Sequence, residues 1–220
     1  MNAPEANNRP LRVGIFGGAF DPPHRAHRVL VESAIEQLEL DRCVVLPTGD
    51  AWHKPRNLSP ARDRLAMTRH AFADLMEVQV DDQEIRRQGP SYTVDTVERL
   101  RHEHPGATLF LLLGIDQWRV FPTWHRWDTL LDWVVPVVAL RPEEPPPWPE
   151  RVKSREPKDL DPRLPKPVWL LMPYLNVSST DMRQAIATLG VGSPALEHEL
   201  HPAVAGYISA HSLYSPTDPA

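Results

Sequence analysis

Apolar runs alternate along the chain with stretches whose apolar residues recur at helical spacing. Continuously apolar runs at 13–16, 43–46 and 108–113 are typical of strands buried on both faces of a sheet. Weaker strand patterns lie at 78–80, 133–140 and 168–172, and Pro136 indicates a sheet edge or a bulge. Strands that alternate with helices form βαβ units. The pattern therefore predicts an α/β fold, a doubly wound and mostly parallel sheet with a C-terminal helical part from Ser179 onward.

The length of 220 residues is enough for one domain with a substantial core. We expect a single domain over residues 11–215, preceded by a flexible N-terminal segment at 1–10. Residues 141–167 combine many prolines with charged residues, which predicts an exposed insertion on the surface of that domain. Helix caps are predicted at Ser59 or Asp63 for the helix that follows them.

The net charge of −5 argues against a general nucleic-acid or membrane surface, so an anionic ligand has to meet locally placed positive charge. The one cysteine, Cys43, lies in an apolar run and is interpreted as a core residue. Residues 1–10 lack the apolar segment of a signal peptide, and no apolar run is long enough to cross a bilayer. We therefore expect a cytoplasmic protein; the oligomeric state is left open.

The stretch 17–27 carries the first chemical signal, Gly-Gly-Ala-Phe-Asp-Pro-Pro-His-Arg-Ala-His, directly after the first predicted strand. Asp21 is predicted to cap a helix whose first residue is Pro22. His24 and His27, three residues apart, then share one face near the helix N-terminus, where free N–H groups and partial positive charge favour anions. With two glycines that let a ligand approach the backbone, the stretch predicts a phosphate-binding site.

A second phosphate element is predicted at 177–183, Val-Ser-Ser-Thr-Asp-Met-Arg. Successive hydroxyls at a helix start can cap its N–H groups or donate to phosphate oxygens, and Arg183 can bind a phosphate with two N–H groups. His53 and Lys54, in the loop after the second strand, are interpreted either as a basic arm that reaches phosphates or as an ordinary solvated loop.

The first stretch resembles the Gly-Gly-x-Phe-Asp-Pro-x-His-x-x-His signature of the nucleotidylyltransferase superfamily, and the second resembles its Ile-Ser-x-Thr-x-x-Arg element. Three further stretches resemble the bacterial nicotinate-nucleotide adenylyltransferase family, also called the nicotinic acid mononucleotide adenylyltransferases. They are Gly-Pro-Ser-Tyr-Thr at 89–93, Gly-Ile-Asp at 114–116 and Phe-Pro-Thr-Trp at 121–124. The resemblance extends from Val13 to Tyr214 and implies a Rossmann-like fold, with transfer of AMP from ATP to nicotinic acid mononucleotide as the activity. Deamido-NAD and pyrophosphate are the implied products.

The resemblance also implies roles for individual residues, with Mg²⁺ carried by the ATP phosphates rather than by a protein metal site. Catalytic roles are implied for His24, His27 and Arg183. ATP-binding residues are then Gly17, Gly18, Phe20, His24, His27, Ser178, Ser179, Thr180 and Arg183. Residues implied for the mononucleotide are Thr48, His53, Lys54, Thr93, Gly114, Asp116, Trp124 and His125. The chain departs from the family pattern at Ala19, which stands where Thr or Ser is usual, and in the loop 48–52.

Several alternatives stay open from the residues themselves. The acceptor could be nicotinamide mononucleotide or another phosphate, and the fold could serve a non-catalytic nucleotide-binding protein, since a fold does not fix a function. His24 and His27 could also bind zinc in a metallohydrolase, although no neighbouring His, Asp or Glu completes a three-ligand set. For Thr93, Asp116 and Trp124, helix capping or core packing is the ordinary role of each residue taken singly.

Overall fold

The computed structural model describes residues 9–49, 58–139, 160–173 and 175–215. In these ranges one six-stranded parallel sheet has the order β3-β2-β1-β4-β5-β6. The strands are β1 (Arg12–Gly18), β2 (Arg42–Pro47), β3 (Val78–Val80), β4 (Thr108–Gly114), β5 (Val135–Ala139) and β6 (Val168–Leu170). The helices are α1 (Arg25–Gln37), α2 (Ala61–Ala71), α3 (Gln83–Arg86), α4 (Thr93–Glu103), α5 (Ile115–Arg119), α6 (Trp127–Trp133), α7 (Ser179–Leu189) and α8 (Pro202–Ala210).

Alternate residues of the central strands supply two separate cores, one on each face of the sheet. In β4, Phe110 and Leu112 join the core formed with α1, α2, α7 and α8. Leu109, Leu111 and Leu113 join the opposite core, formed with α4, α5 and α6. Burial on both faces explains why these strands are continuously apolar rather than alternating. The predicted α/β class, the parallel sheet and the helical C-terminal part are all confirmed.

The predicted start of α1 is wrong. The helix begins at Arg25, and His24 rather than Asp21 is the residue that precedes its first turn. The Asp21 carboxylate accepts hydrogen bonds from the Tyr214 hydroxyl and from the Ser59 backbone N–H instead. Asp21 is therefore not available as a local cap, because its partners come from remote parts of the chain.

Two smaller predictions also need correction. Helix α2 begins at Ala61 after Pro60, so neither Ser59 nor Asp63 is its N-cap residue. Strand β5 lies between β4 and β6 and is not a sheet edge. However, β6 begins opposite Val137, one residue past Pro136, so in the described residues Pro136 is paired with β4 alone. The proline is tolerated because the sheet is incomplete at this position.

Most of the proline-rich stretch lies outside the described residues, which resume at 160. Leu160 and Leu164 pack against the core on the α4 side, and the Arg163 guanidinium lies 5.5 Å from the centre of the Trp127 ring. This end of the stretch is thus docked on the domain. In the part of the chain that the structure describes, no helix is long and apolar enough to cross a membrane.

The loop after β2 packs very closely against α3, and Gly49 makes this possible. A Cβ placed on Gly49 would lie 2.2 Å from the Glu84 carbonyl oxygen, a backbone atom with little freedom to move. We predict that Gly49→Ala lowers the free energy of unfolding by about 2–3 kcal/mol, because relief of the overlap requires a backbone shift. Urea denaturation monitored by circular dichroism measures the change.

Gly206→Ala is the matched control for this prediction. Gly206 lies exposed within α8, and a Cβ there would meet no atom within 4 Å. This substitution should raise stability by about 0.5–1 kcal/mol, because alanine favours a helix interior more than glycine does. Equal stability of the Gly49→Ala variant and the wild type would show that the loop is not constrained at Gly49.

Candidate active site

A cleft of about 440 Å³ opens at the carboxyl ends of the strands. It lies within the range of roughly 300–1,000 Å³ that is common for small-molecule sites. Its walls include the ends of β1, β2, β4 and β5, together with the first turns of α4 and α7. Ligands of doubly wound sheets bind at this edge, where the loops leave the strands. The cleft is thus the candidate active site.

The last two residues of β1 and the loop that joins β1 to α1, together residues 17–24 and here called the glycine loop, form one side of the cleft. A Cβ at Gly17 would meet no heavy atom within 4 Å, so a ligand has access to the backbone there. A Cβ at Gly18 would lie 3.0 Å from the Phe20 ring, and Phe20 itself has a left-handed φ of 49°. The Phe20 ring therefore packs against Gly18 and leaves no room for a side chain there.

His24 and His27 face each other at the end of the glycine loop, with ring centroids 3.8 Å apart. The His24 backbone N–H donates to Nδ1 of His27 over 3.1 Å. Because Nδ1 accepts this bond, a neutral His27 carries its proton on Nε2, where it can donate to a ligand. The edge of the Phe20 ring lies against His27 at 5.1 Å between centroids and limits its rotation. The structure thus places both histidines in the lining of one cleft.

The second predicted element, at the start of α7, is docked on the glycine loop. Arg183 Nη1 donates to the Asp21 carbonyl over 2.7 Å, and the Ser179 hydroxyl donates to the Pro22 carbonyl over 3.0 Å. Ser179, Thr180 and Arg183 line the cleft beside the histidines. Ser178 is not a lining residue, because its hydroxyl oxygen accepts from the Asp181 N–H as the N-cap of α7.

The cleft is also lined by six of the residues predicted to bind the mononucleotide, Thr48, Thr93, Gly114, Asp116, Trp124 and His125. Among them, Thr48 donates from its backbone N–H and from its hydroxyl to the Gly18 carbonyl of the glycine loop, over 2.8 and 3.1 Å. The Tyr92 and His125 rings lie 4.3 Å apart with 33° between their planes, and Phe121 packs against Trp124 at 5.1 Å. The cleft lining therefore combines aromatic surfaces with hydroxyl groups. His53 and Lys54 lie outside the described residues.

No group of three or more His, Cys, Asp or Glu that could hold a metal ion occurs within the described ranges.

Asp116 lines the cleft, and its Oδ1 lies 3.4 Å from Arg119 Nη1.

Comparison with known proteins agrees with this geometry. A family model described as cytidylyltransferase-like matches residues 15–185. A curated "Probable nicotinate-nucleotide adenylyltransferase" of Albidiferax ferrireducens is 46% identical over 204 residues, which is 92% of this chain and 98% of the relative. The protein of the same name from Methylibium petroleiphilum is 37% identical, with 93% of each chain covered.

The chain belongs to the nicotinate-nucleotide adenylyltransferase family. The resemblance deduced from the motifs is thereby confirmed, and so is the enzyme class.

Solved structures agree on the fold. A nicotinic acid mononucleotide adenylyltransferase of Plasmodium falciparum complexed with NaAD superposes with a TM-score of 0.70 at 19% identity, covering 93% of this chain and 97% of the other. A structure described as a nicotinate-nucleotide adenylyltransferase from Vibrio parahaemolyticus gives 0.64 at 17% identity, covering 94% and 97%. The six-stranded sheet is therefore the sheet expected of this family.

Sequence reasoning missed Arg64, which is 2% exposed and hydrogen-bonds to three loops near the cleft. Its guanidinium donates to the carbonyls of Ala19, Ser59 and Gly49 over 3.0, 3.0 and 3.3 Å. A buried cation needs such partners to offset its lost hydration. Arg64 was overlooked because all three acceptors are backbone atoms, which leave no side-chain pattern in a sequence.

Glu84 was also missed, although it lines the cleft. The side chain is buried, and Thr96 Oγ1 donates to Glu84 Oε1 over 2.9 Å. Burial raises the pKa of the Glu84 carboxyl, because the charged form loses hydration there, and the Thr96 hydrogen bond offsets this only in part. Glu84 thus resists ionisation more strongly than an exposed glutamate does.

We predict that the stability of Glu84→Gln relative to the wild type increases as the pH rises above 4.5, the ordinary pKa of a glutamate carboxyl. A group whose pKa is raised in the folded state contributes stability below its unfolded pKa, and that contribution is lost as the pH rises through the folded pKa. Urea unfolding of both proteins between pH 4.5 and 8 gives the difference.

Glu103→Gln serves as the control, since Glu103 is exposed at the end of α4 and accepts a hydrogen bond from Arg99 Nε over 2.6 Å. Its stability difference from the wild type should change little over this pH range. A pH-independent difference for Glu84→Gln would contradict the raised pKa.

Proposed function

We propose that the cleft transfers AMP from ATP to the 5′-phosphate of nicotinic acid mononucleotide. A phosphate oxygen of the mononucleotide forms a bond to the α-phosphorus of ATP, and the bond from that phosphorus to the β-bridging oxygen breaks. Deamido-NAD and pyrophosphate are the products. The observation that carries the proposal is the docking of α7, through Arg183, onto the glycine loop that leads to the two histidines, in a cleft that aromatic rings and hydroxyls also line.

The glycine loop and the start of α7 form the proposed polyphosphate site. An anion bound there would meet the backbone of Gly17, Gly18 and Phe20 and the hydroxyls of Ser179 and Thr180. It would also be stabilised by the partial positive charge at the N-termini of α1 and α7. His24, His27 and Arg183 add donors that can follow charge onto the departing pyrophosphate. The attacking phosphate is already anionic, so the chain's main task is alignment and charge stabilisation rather than proton removal.

Mg²⁺ is proposed to arrive on the polyphosphate, whose oxygens are the ligands that this ion prefers. It would reduce the repulsion between the two phosphate groups that react. The residues of this chain then contribute the contacts that orient the phosphates around it.

The other predicted residues that line the cleft are proposed to bind the mononucleotide. Thr93 stands at the start of α4, where its hydroxyl and the free N–H groups of the helix suit the nicotinate carboxylate. The Trp124 indole suits an electron-poor pyridine ring, and the Asp116 carboxylate accepts from ribose hydroxyls. Thr48, Gly114 and His125 complete this set of lining residues, and His53 and Lys54 stay predicted phosphate contacts. The NaAD bound to the Plasmodium falciparum relative supports a product of this chemistry.

The proposal predicts pyrophosphate release from ATP and Mg²⁺ with nicotinic acid mononucleotide, and much weaker release with the amide. His27→Ala should lower kcat by about 100- to 1,000-fold, the usual effect of removing one donor that stabilises developing charge. Coupled spectrophotometric detection of pyrophosphate measures both results.

His102→Ala is the matched control, because His102 is exposed in the last turn of α4 and does not line the cleft. It should leave kcat unchanged. Equal use of acid and amide would contradict the role of Thr93 and Trp124 while keeping the enzyme class. Nucleotide binding without pyrophosphate release from either acceptor would favour a non-catalytic protein on this fold.

A further inference from the structure

Tyr214, in the turn after α8, reaches back to the glycine loop across 193 positions of sequence. Its hydroxyl donates to Asp21 Oδ1 over 2.6 Å, and its side chain is buried beside Met67 of α2. Ser212 and Tyr214 both have left-handed backbone, with φ of 51° and 61°. Residues other than glycine adopt this conformation at a cost, so surrounding contacts have to hold the turn in place.

Asp21 receives hydrogen bonds from three elements at once. The other carboxylate oxygen, Oδ2, accepts from the Ser59 N–H over 3.2 Å, and the backbone carbonyl accepts from Arg183. The residue is fully buried and is not part of the cleft lining. Asp21 therefore acts as an anchor of the glycine loop, three residues before His24, and does not itself contact a ligand in the cleft.

The Tyr214 phenol is a dependable donor to this anchor. Burial and the neighbouring Asp21 charge raise the pKa of Tyr214 well above its ordinary value. The proton thus stays on the hydroxyl throughout the physiological range. Without that donor, the buried carboxylate loses one of its hydrogen bonds, which favours movement of the loop toward water or toward another donor.

We propose that Tyr214 is a positioning residue of the adenylyl transfer, which holds the glycine loop through Asp21 so that His24 and His27 face the polyphosphate. The inference rests on the proposed function of the cleft. It makes the C-terminal turn a part of the catalytic apparatus, although the phenol does not line the cleft.

Tyr214→Phe tests the proposal, since it removes the hydroxyl and keeps the ring in the core. We expect kcat to fall by about 10- to 100-fold, because a small displacement of His24 and His27 would disturb their alignment with the reacting phosphates. The KM for nicotinic acid mononucleotide should stay within about twofold, because Thr93, Asp116 and Trp124 lie outside the glycine loop that Asp21 anchors. Calorimetric titration with ATP and Mg²⁺ should show weaker binding than in the wild type.

Tyr207→Phe is the matched control. The Tyr207 hydroxyl also donates to a buried carboxylate from the C-terminal region, to Asp63 Oδ1 over 2.9 Å, but neither residue lines the cleft. Each variant loses one phenol–carboxylate bond, and Tyr207→Phe should lose less thermal stability because its hydroxyl is less buried than that of Tyr214. Only Tyr214→Phe should lower kcat, measured well below the melting temperature of either variant.

A double-mutant cycle with Asp21→Asn separates positioning from general stability. If Tyr214 acts through Asp21, Tyr214→Phe adds little further loss of kcat in the Asp21→Asn background. Unchanged kcat and ATP affinity in Tyr214→Phe, or independent effects in the cycle, would overturn the proposal. Should the wild type release no pyrophosphate with this acceptor, the proposed function fails, while the ATP titration still tests the positioning by Tyr214.

Discussion

The buried carboxylate of Asp21 is the constraint on which the cleft depends. A carboxylate removed from water destabilises a fold unless donors satisfy it, and removal of one partner from a buried charge typically costs about 3–5 kcal/mol. Two of its donors are the Ser59 backbone N–H before α2 and the Tyr214 hydroxyl after α8. The last part of the chain therefore helps to hold the loop next to the first strand in its final geometry.

The same loop has backbone carbonyls that would otherwise face an apolar interior or the cleft. Arg64 donates to Ala19, Arg183 donates to Asp21 and Ser179 donates to Pro22. Hydrogen bonds from charged donors are stronger than neutral ones, so two arginines hold the loop more firmly than hydroxyls would. Of the two, Arg183 lines the cleft and so brings positive charge to the proposed polyphosphate site of a chain whose net charge is −5.

The sequence predicted those features that depend on local pattern. Continuously apolar strands and the parallel sheet could be deduced because runs of neighbouring residues encode them; the phosphate-binding roles of the two motifs stay predictions. The start of α1 could not, since Asp21 has the residue type of a cap but is bonded by Tyr214, 193 positions away. Arg64 and Glu84 were missed for a related reason: their roles arise from burial against backbone or a hydroxyl, which residue spacing does not reveal.

Burial of Glu84 bears on how the cleft would distinguish an acid from an amide. Glu84 lines the cleft and is bonded to Thr96, one turn along α4 from Thr93. An ionised carboxylate there would repel a substrate carboxylate at the start of the helix, whereas a protonated one would not. The burial that raises the pKa of Glu84 shifts this group toward the protonated form, which carries no such repulsion.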